Sequence, residues 1–481
     1  MVKAIMDNQL KEFKRRRNVV NCHHLVLVPC PLQGHMSPML HLAKLLHSKG
    51  FSITIIVSSN ELNPPLNPSH YPEFLFQSIN INEDGTNNIS YNSFGGDVML
   101  YLLVLNNKCG TPLRDCLAKL QSNVSCFGPV SCVVYDAVMY FSAAIADELE
   151  IPRIVLRTSS ASTFLALSLL RKGATLNTKE RDQPELPLAD FPLIRAKDMP
   201  VFDTSDQKAA EEVLARIDHG TKTASAVIWN SLQCLEKFMF SKVEEKILAP
   251  LYPICPRLHY INGHNFGPNN SFESLLHTED HGCMSWLDSQ KPNAVVYVST
   301  GSIVRISKSE LAEMAWGLAN SDQPFLWVVR PGLVNGSNGL ELLPKGFLEI
   351  TRKRGKVVQW APQWRVLGHR SVGGFWTHNG WNSTIESVNE GVPMICWPRI
   401  GDQRVNARIV TSVWKVGIEL EEKNLKRWKV ESAITKLMVH EEGKEIRRRA
   451  EELKEKVRVS LGQGGSSCEF LTKLVDFIKL V

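Results

Sequence analysis

Short apolar runs bounded by glycine, proline and polar clusters recur along the chain, each followed by a segment whose apolar positions repeat at helical spacing. His24–Pro29 is the first such run. Leu40, Ala43, Leu45 and Leu46 then form a helical stripe, which Gly50 ends before a second run at Ile53–Val57. Strand, helix, strand in that order is a β-α-β unit and predicts a parallel sheet. Leu32–His35 reads as a short turn, with Ser37 as N-cap and Pro38 as first helical residue. Ser131–Tyr135 predicts another strand, closed by Asp136 ahead of a helix in AVMYFSAAIADELE. A polar loop (80–97), an amphipathic helix (Val98–Leu120), an irregular stretch (174–208) and a helix around 209–218 lie on either side of it. The strand SAVIWNSL closes this region, and the helix LEKFMFSKVEEKIL follows.

The same alternation resumes after a stretch rich in Pro, Gly, Asn and Ser. Ala294–Ser299 is a strand, Thr300-Gly301-Ser302 a tight turn and SKSELAEMAWGLAN a helix. FLWVVR, KVVQW, GGFWTH, PMICWP and VGIEL continue the pattern as strands between helices. A chain of 481 residues exceeds one ordinary core, so two α/β domains are expected. The organisation reads as a disordered basic tail (1–20), an N-terminal domain (21–250), a linker (251–282), a C-terminal domain (283–460) and a final segment (461–481) with an amphipathic helix at Glu469–Val481.

Composition narrows the class. The chain is 43% hydrophobic and 22% charged, as in soluble globular proteins. A net charge of +6 is mild, and no basic face or RNA-binding motif accompanies it, which argues against nucleic acid. Eleven scattered cysteines without a Cys-x-x-Cys point to reduced thiols and a cytoplasmic location. The run Lys14-Arg15-Arg16-Arg17 has no apolar segment before it, and LVLVPCPL is too short to span a bilayer, so no stable membrane insertion is expected. His277, His281 and Cys283 have a vaguely metal-like spacing that no second cluster completes, and no metal site is expected. The sequons at Asn88 and Asn382 are read as chance. No Gly-x-Gly-x-x-Gly or Walker loop follows a strand, which disfavours dinucleotide and ATP binding.

Two places carry candidate chemistry. His35 lies beyond the carboxyl end of a strand, where open α/β sheets hold their ligands. Asp136 reaches the same edge from another strand; it is either a helix cap or a carboxylate that orients a neutral imidazole and stabilises its cation. The second place is Trp360–Gln403. There the strand GGFWTH, closed by His378, runs through Gly380 into a helix with Trp381, Asn382 and Ser383 at its start and Glu386 one turn on. The free N–H groups of such a helix start form an anion site. Trp360 and Trp381 offer flat faces for a base or a sugar ring, so the stretch reads as a nucleotide-sugar site.

From Trp360 to the closing Asp402-Gln403, this block resembles the 44-residue signature of plant UDP-dependent glycosyltransferases of small molecules. From about His23 onward the rest of the chain resembles the same family. VPCPLQGHMSPML and DQRVNARIVTSVWKVGIELE look most like the branch containing terpenoid, flavonoid and cytokinin glucosyltransferases. The resemblance implies the GT-B fold, two Rossmann-like parallel-sheet domains facing across a cleft, with the C-terminal helix crossing back to the first. It implies that Trp360 stacks on uracil, that the Ala361 and Gln363 region hydrogen-bonds it, and that Glu386 binds ribose. Ser302, His378, Asn382 and Ser383 would serve the diphosphate, and Trp381, Asp402 and Gln403 the sugar. A closing Gln goes mostly with glucose in that family. No Asp-x-Asp occurs, which argues against a metal-dependent transferase.

The expected activity is inverting hexosyl transfer from UDP-glucose to a hydroxyl or carboxyl of a small, largely apolar plant metabolite. His35 would act as general base and Asp136 as its support. UDP-glucose is a co-substrate, no cofactor is needed, and the protein is expected to act as a monomer. The acceptor pocket is expected among the long loops of the first domain. The alternatives are a non-catalytic protein binding a UDP-sugar or small hydrophobe, and a retaining transferase on the same fold. Trp364 and Arg365 depart from the family pattern without touching donor binding, whereas Thr300, where an aromatic is frequent, bears on acceptor preference.

Overall fold

The computed structural model describes residues 23–58, 68–80, 89, 91–122, 127–171, 184–188, 191–263, 282–334, 337, 339–420 and 425–481. The basic tail, Asn88, half of the 80–97 loop, and His277 and His281 lie outside these residues. The chain divides into two compact units: residues 1–173, 202–270 and 460–481, and residues 174–201 with 271–459.

The sheet of the first unit is built from β1 (His24–Val28), β2 (Ser52–Ser58), β3 (Leu75–Ile79), β4 (Val130–Asp136) and β5 (Arg153–Arg157). With β6 (Pro187–Leu188) and β7 (Phe191–Arg195) left to the second unit, β8 (Ala226–Trp229) and β9 (Leu251–Pro253) complete it. The order is β3-β2-β1-β4-β5-β8-β9, and every neighbouring pair is parallel. Leu25–Val28 and Cys132–Tyr135 are at most 1% exposed, as expected of strands covered on both faces. The chain winds outward through β2 and β3, then returns to place β4 on the other side of β1. That reversal opens a crevice at the carboxyl ends of β1 and β4.

The sheet of the second unit contains β10 (Val295–Ser299), β11 (Phe325–Val328), β12 (Gly355–Val358), β13 (Val372–Thr377), β14 (Met394–Cys396) and β15 (Gly417–Glu419). It is also parallel throughout, in the order β12-β11-β10-β13-β14-β15, so its reversal falls between β10 and β13. Trp327, Trp376 and Trp397 are buried in its core, with the Trp376 and Trp397 rings 6.0 Å apart. They serve packing.

Local structure departs from the sequence reading at several points. The first helix begins at Gln33, not after Ser37, so His35 sits in its first turn and not in a loop. Ser37 is not its cap: the hydroxyl accepts from Arg257 at 2.9 Å. Pro38 lies inside the helix, in its second turn, and not at its first position. The expected linker contains β9 and a helix at Pro256–Gly263, both belonging to the first unit. Cys283 is buried in the helix Gly282–Asp288. Residues 174–201 group with the second unit, although their place in the sequence sets them in the first. The C-terminal helix Ser466–Leu480 belongs to the first unit, where Ser467 donates to Ile254 O (3.1 Å) and meets His259 Nε2 (2.8 Å).

Candidate active site

In the first unit, His35 and Asp136 come from the two sides of the β1–β4 crevice. Asp136 ends β4 and is fully buried. Its Oδ2 lies 2.9 Å from His35 Nδ1, and its Oδ1 accepts from the Val138 amide at 3.1 Å. The following helix starts only at Phe141, so Asp136 does not cap it. One carboxylate oxygen holds a turn and the other holds an imidazole. A carboxylate facing Nδ1 selects the Nδ1–H tautomer, which leaves Nε2 as the basic nitrogen. His35 keeps 26% of its side chain exposed, enough to meet a substrate. Thr158, just beyond β5, places its hydroxyl 3.1 Å from the same Nδ1. Sequence reasoning passed over Thr158, whose only signal is its place at the end of an apolar strand.

In the second unit, the residues of Trp360–Gln403 gather around the β10–β13 reversal. Ser302 belongs to the turn after β10, and His378 follows β13 directly. Burial pushes His378 down to about 4, with Arg330 adding to the shift and the Ser299 main chain opposing it, so the ring is neutral near pH 7. Its Nδ1 is buried without a hydrogen-bond partner among the described residues. The other edge of the ring fits against two glycines. A Cβ at Gly301 would come within 2.5 Å of Cε1 and Nε2, and one at Gly380 within 2.5 Å of Nε2. Gly301 also has φ +74°, a backbone conformation natural to glycine.

Arg330, which the sequence reading left out, holds this turn. Its Nε donates to Gly301 O at 2.8 Å and its Nη2 to Val304 O. A charge closing the buried run FLWVVR was the available signal.

The helix Trp381–Glu390 starts at Gly380, which has no side chain to cap it. The positive end of the helix dipole therefore favours an anion at the Asn382–Ser383 end. Trp381 is 4% exposed, its ring 6.2 Å from that of Trp414. Its aromatic face is covered, not open as the sequence suggests. Trp360 remains half-buried and Ala361 is buried. The Gln363 amide donates to Ser383 Oγ and Glu386 Oε2, both at 2.9 Å, so this half-buried side chain links two elements.

At the far end of the block, Asp402 Oδ2 accepts from Asn406 Nδ2 at 3.0 Å, and the same amide donates to Asn379 O at 3.0 Å. Gln403 is 5% exposed, and its Oε1 accepts the Arg399 and Ile400 amides at 2.8 and 3.1 Å. Two N–H donors converging on one atom require it to be the oxygen. The NH2 edge of Gln403 is thus the edge left for a ligand.

Two parallel α/β units, each with polar residues at its sheet reversal, define a GT-B glycosyltransferase, and this chain belongs to the UDP-glucoronosyl and UDP-glucosyl transferase family. The family profile matches residues 232–453. The chain is 43% identical over 457 residues to UDP-glycosyltransferase 76B1 of Arabidopsis thaliana, covering 94% of this chain and 97% of that one. It is 42% identical to the flavonol 3-O-glucosyltransferase UGT76E12 of the same plant, covering 98% of both. Among solved structures, it resembles UDP-glucose: anthocyanidin 3-O-glucosyltransferase in complex with UDP (TM-score 0.79, 28% identity, 96% of this chain and 100% of that one). It also resembles Phytolacca americana UGT2 complexed with UDP-2fluoro-glucose and pterostilbene (TM-score 0.78, 26% identity, 95% and 100%). The protein is therefore an enzyme, a UDP-glycosyltransferase. Among the described residues no helix is long and apolar enough to cross a membrane.

Proposed function

We propose that the enzyme transfers glucose from UDP-glucose, with inversion, to a hydroxyl or carboxyl of a small, largely apolar plant metabolite. The observation that carries this reading is the 2.9 Å contact between His35 Nδ1 and the fully buried Asp136 carboxylate. His35 Nε2 takes the acceptor proton as the oxygen attacks the anomeric carbon, UDP leaves, and Asp136 stabilises the imidazolium without accepting the proton itself.

Charge developing on the leaving diphosphate is met by the first-turn amides of the helix Trp381–Glu390, by Ser302 and Asn382, and by neutral His378 as a hydrogen-bond donor. These groups serve without a metal ion or other cofactor. Trp360 and Ala361 hold the uracil, Glu386 the ribose, and Asp402 with the Gln403 NH2 edge the glucose. Relatives named for glucosyl transfer to a flavonol and an anthocyanidin support a phenolic or similarly flat, apolar acceptor. We place the enzyme in the cytoplasm and read it as a monomer.

The test is incubation of the wild type with UDP-glucose, in the presence of EDTA, and a panel of phenolic and terpenoid acceptors, followed by NMR of the product. A β-glucoside is expected. An α-glucoside, or UDP-glucose binding with no turnover across the panel, contradicts the reading.

A further inference from the structure

The helix that carries Gln403 is only six residues long, Gln403–Arg408, and runs directly into a π-helical turn at Ile409–Val413. So short a helix has little stability of its own, and its orientation must come from tertiary contacts. Asn406, in its middle, donates to Asn379 O at 3.0 Å, and both of its ends meet one piece of chain from far away in sequence, residues 191–201. At the helix start, Gly401 and Val201 form an antiparallel bridge, with Gly401 N donating to Val201 O (2.6 Å) and Val201 N to Gly401 O (3.3 Å). At the helix end, Arg408 Nε donates to Leu193 O at 3.0 Å and lies 3.5 Å from Asp198 Oδ2.

Asp198 is the pin of this strut. It is 4% exposed, and both its oxygens accept from the Arg195 guanidinium, at 2.7 and 2.8 Å, while Oδ2 also takes the Arg195 amide at 2.9 Å. A carboxylate buried among two guanidiniums is held hard in place, and removing its charge takes the buried partner from both Arg408 and Arg195, the latter keeping the more exposed Glu185 and Glu419. At the outer end of the same segment, Lys197 and Arg195 Nη1 pair with the exposed Glu185 at 2.6 and 2.9 Å, and contacts to so solvated a carboxylate contribute little.

We propose that the 191–201 segment is a positioning strut for the sugar-reading corner Gly401–Asp402–Gln403, and that Asp198 and Arg408 are positioning residues for donor-sugar selectivity. The inference rests on the donor-site reading given above. Both ends of the short helix are fixed by the strut, and the Gln403 oxygen is fixed by the Arg399 and Ile400 amides, so the direction of the Gln403 NH2 edge depends on all three anchors. A displacement of about 1 Å in such a group is enough to lose selectivity, because epimers differ only in where one hydroxyl lies. The uracil and phosphate groups of the donor-site reading lie on other elements, joined to the short helix through Asn406 Nδ2 and Asn379 O at 3.0 Å, so they depend on the strut less than the Gln403 edge does.

The experiment measures kcat/KM for UDP-glucose and UDP-galactose, and the inhibition constant of UDP, in the full-length wild type, Asp198→Asn, Arg408→Lys and the outer-end control Glu185→Gln. Hydrogen exchange of the peptide spanning 399–403 is followed in each. Asp198→Asn and Arg408→Lys are expected to lower the glucose-to-galactose ratio at least fivefold and speed exchange at 399–403, with UDP inhibition within twofold of wild type and Glu185→Gln unchanged. Arg408→Lys keeps the charge and loses the directed Nε donor to Leu193 O together with the Nη1 donor to Ser412, so it stands as the test if Asp198→Asn does not fold. An unchanged ratio in a folded variant, or an equal loss toward both donors and UDP, overturns the proposal. A wild type with no glucose preference instead overturns the donor-site reading, and is seen before any variant is compared.

Discussion

Asp136 and His35 meet at 2.9 Å although they stand 101 residues apart, because β4 and β1 are adjacent strands whose carboxyl ends point the same way. The carboxylate is fully buried and the imidazole partly exposed, which divides the labour between a fixed support and a group that meets substrate. The Val138 amide at Oδ1 keeps the carboxylate from rotating.

Asp136→Asn tests that division. Asparagine retains an oxygen for Val138 but turns an NH2 toward Nδ1, favouring the wrong imidazole tautomer. Turnover is expected to fall by a factor of about 10²–10⁴, with a much smaller change in acceptor KM. Unchanged kcat would mean that Asp136 serves the turn alone.

Gln403→Glu separates the two edges of that side chain. A carboxylate still accepts the Arg399 and Ile400 amides, so the melting temperature should hold. The NH2 donor is gone, however, and a lost donor to a buried hydroxyl costs about 1–3 kcal/mol, which corresponds to roughly 5–150-fold in kcat/KM for UDP-glucose. UDP inhibition should stay near the wild-type value. A loss of stability with no change in donor use would reverse the assignment.

Gly301→Ala should weaken donor binding through His378. The added methyl would meet the imidazole at 2.5 Å, and φ of +74° strains any side chain there. Calorimetric titration with UDP should show a weaker Kd. An unaltered Kd would remove His378 and its turn from the diphosphate site.

Acid should destabilise the fold through four buried histidines, among them His41, which burial holds well below its ordinary 6.5. Burial pushes His24, His259 and His378 each down to about 4 from an ordinary 6.5. The unfolded chain therefore takes up protons first as pH falls. Their contribution is complete above about pH 6.5 and is lost progressively between 6.5 and 4. Each is worth about 3 kcal/mol at most. The melting temperature should drop steeply across that interval, and less steeply in His259→Gln, where the bond to Ser467 is replaced by an amide that does not titrate. A melting temperature flat from pH 7 to 4.5 would contradict this.

Much of this architecture was legible because buried parallel strands are written as short apolar runs, and the residues closing those runs, His378 and Asp136, fall where sheets hold ligands. The helix start at Gln33 was not legible. Ser37 and Pro38 imitate a cap and a first turn, while Ser37 in fact binds Arg257, 220 residues away. The same limit hid the strut. Nothing in LPLADFPLIRAKDMPV announces that Leu193 O will bind Arg408, 215 residues on, because a hydrogen bond to a main-chain carbonyl leaves no trace in residue type. Gln363 and Trp381 read as ligand groups because their types fit. Their packing, against Ser383 and Glu386 in one case and beside Trp414 in the other, is tertiary information.

The central claim is that His35 removes the acceptor proton, and the most direct measurement is turnover of wild type and His35→Ala with UDP-glucose on one neutral alcohol and one acidic phenol. General-base catalysis contributes about 10²–10⁴ in rate, so the variant should lose at least 10²-fold on the alcohol and markedly less on the phenol, which ionises unaided. UDP binding should be unchanged. Comparable turnover of the alcohol by wild type and His35→Ala would contradict the account.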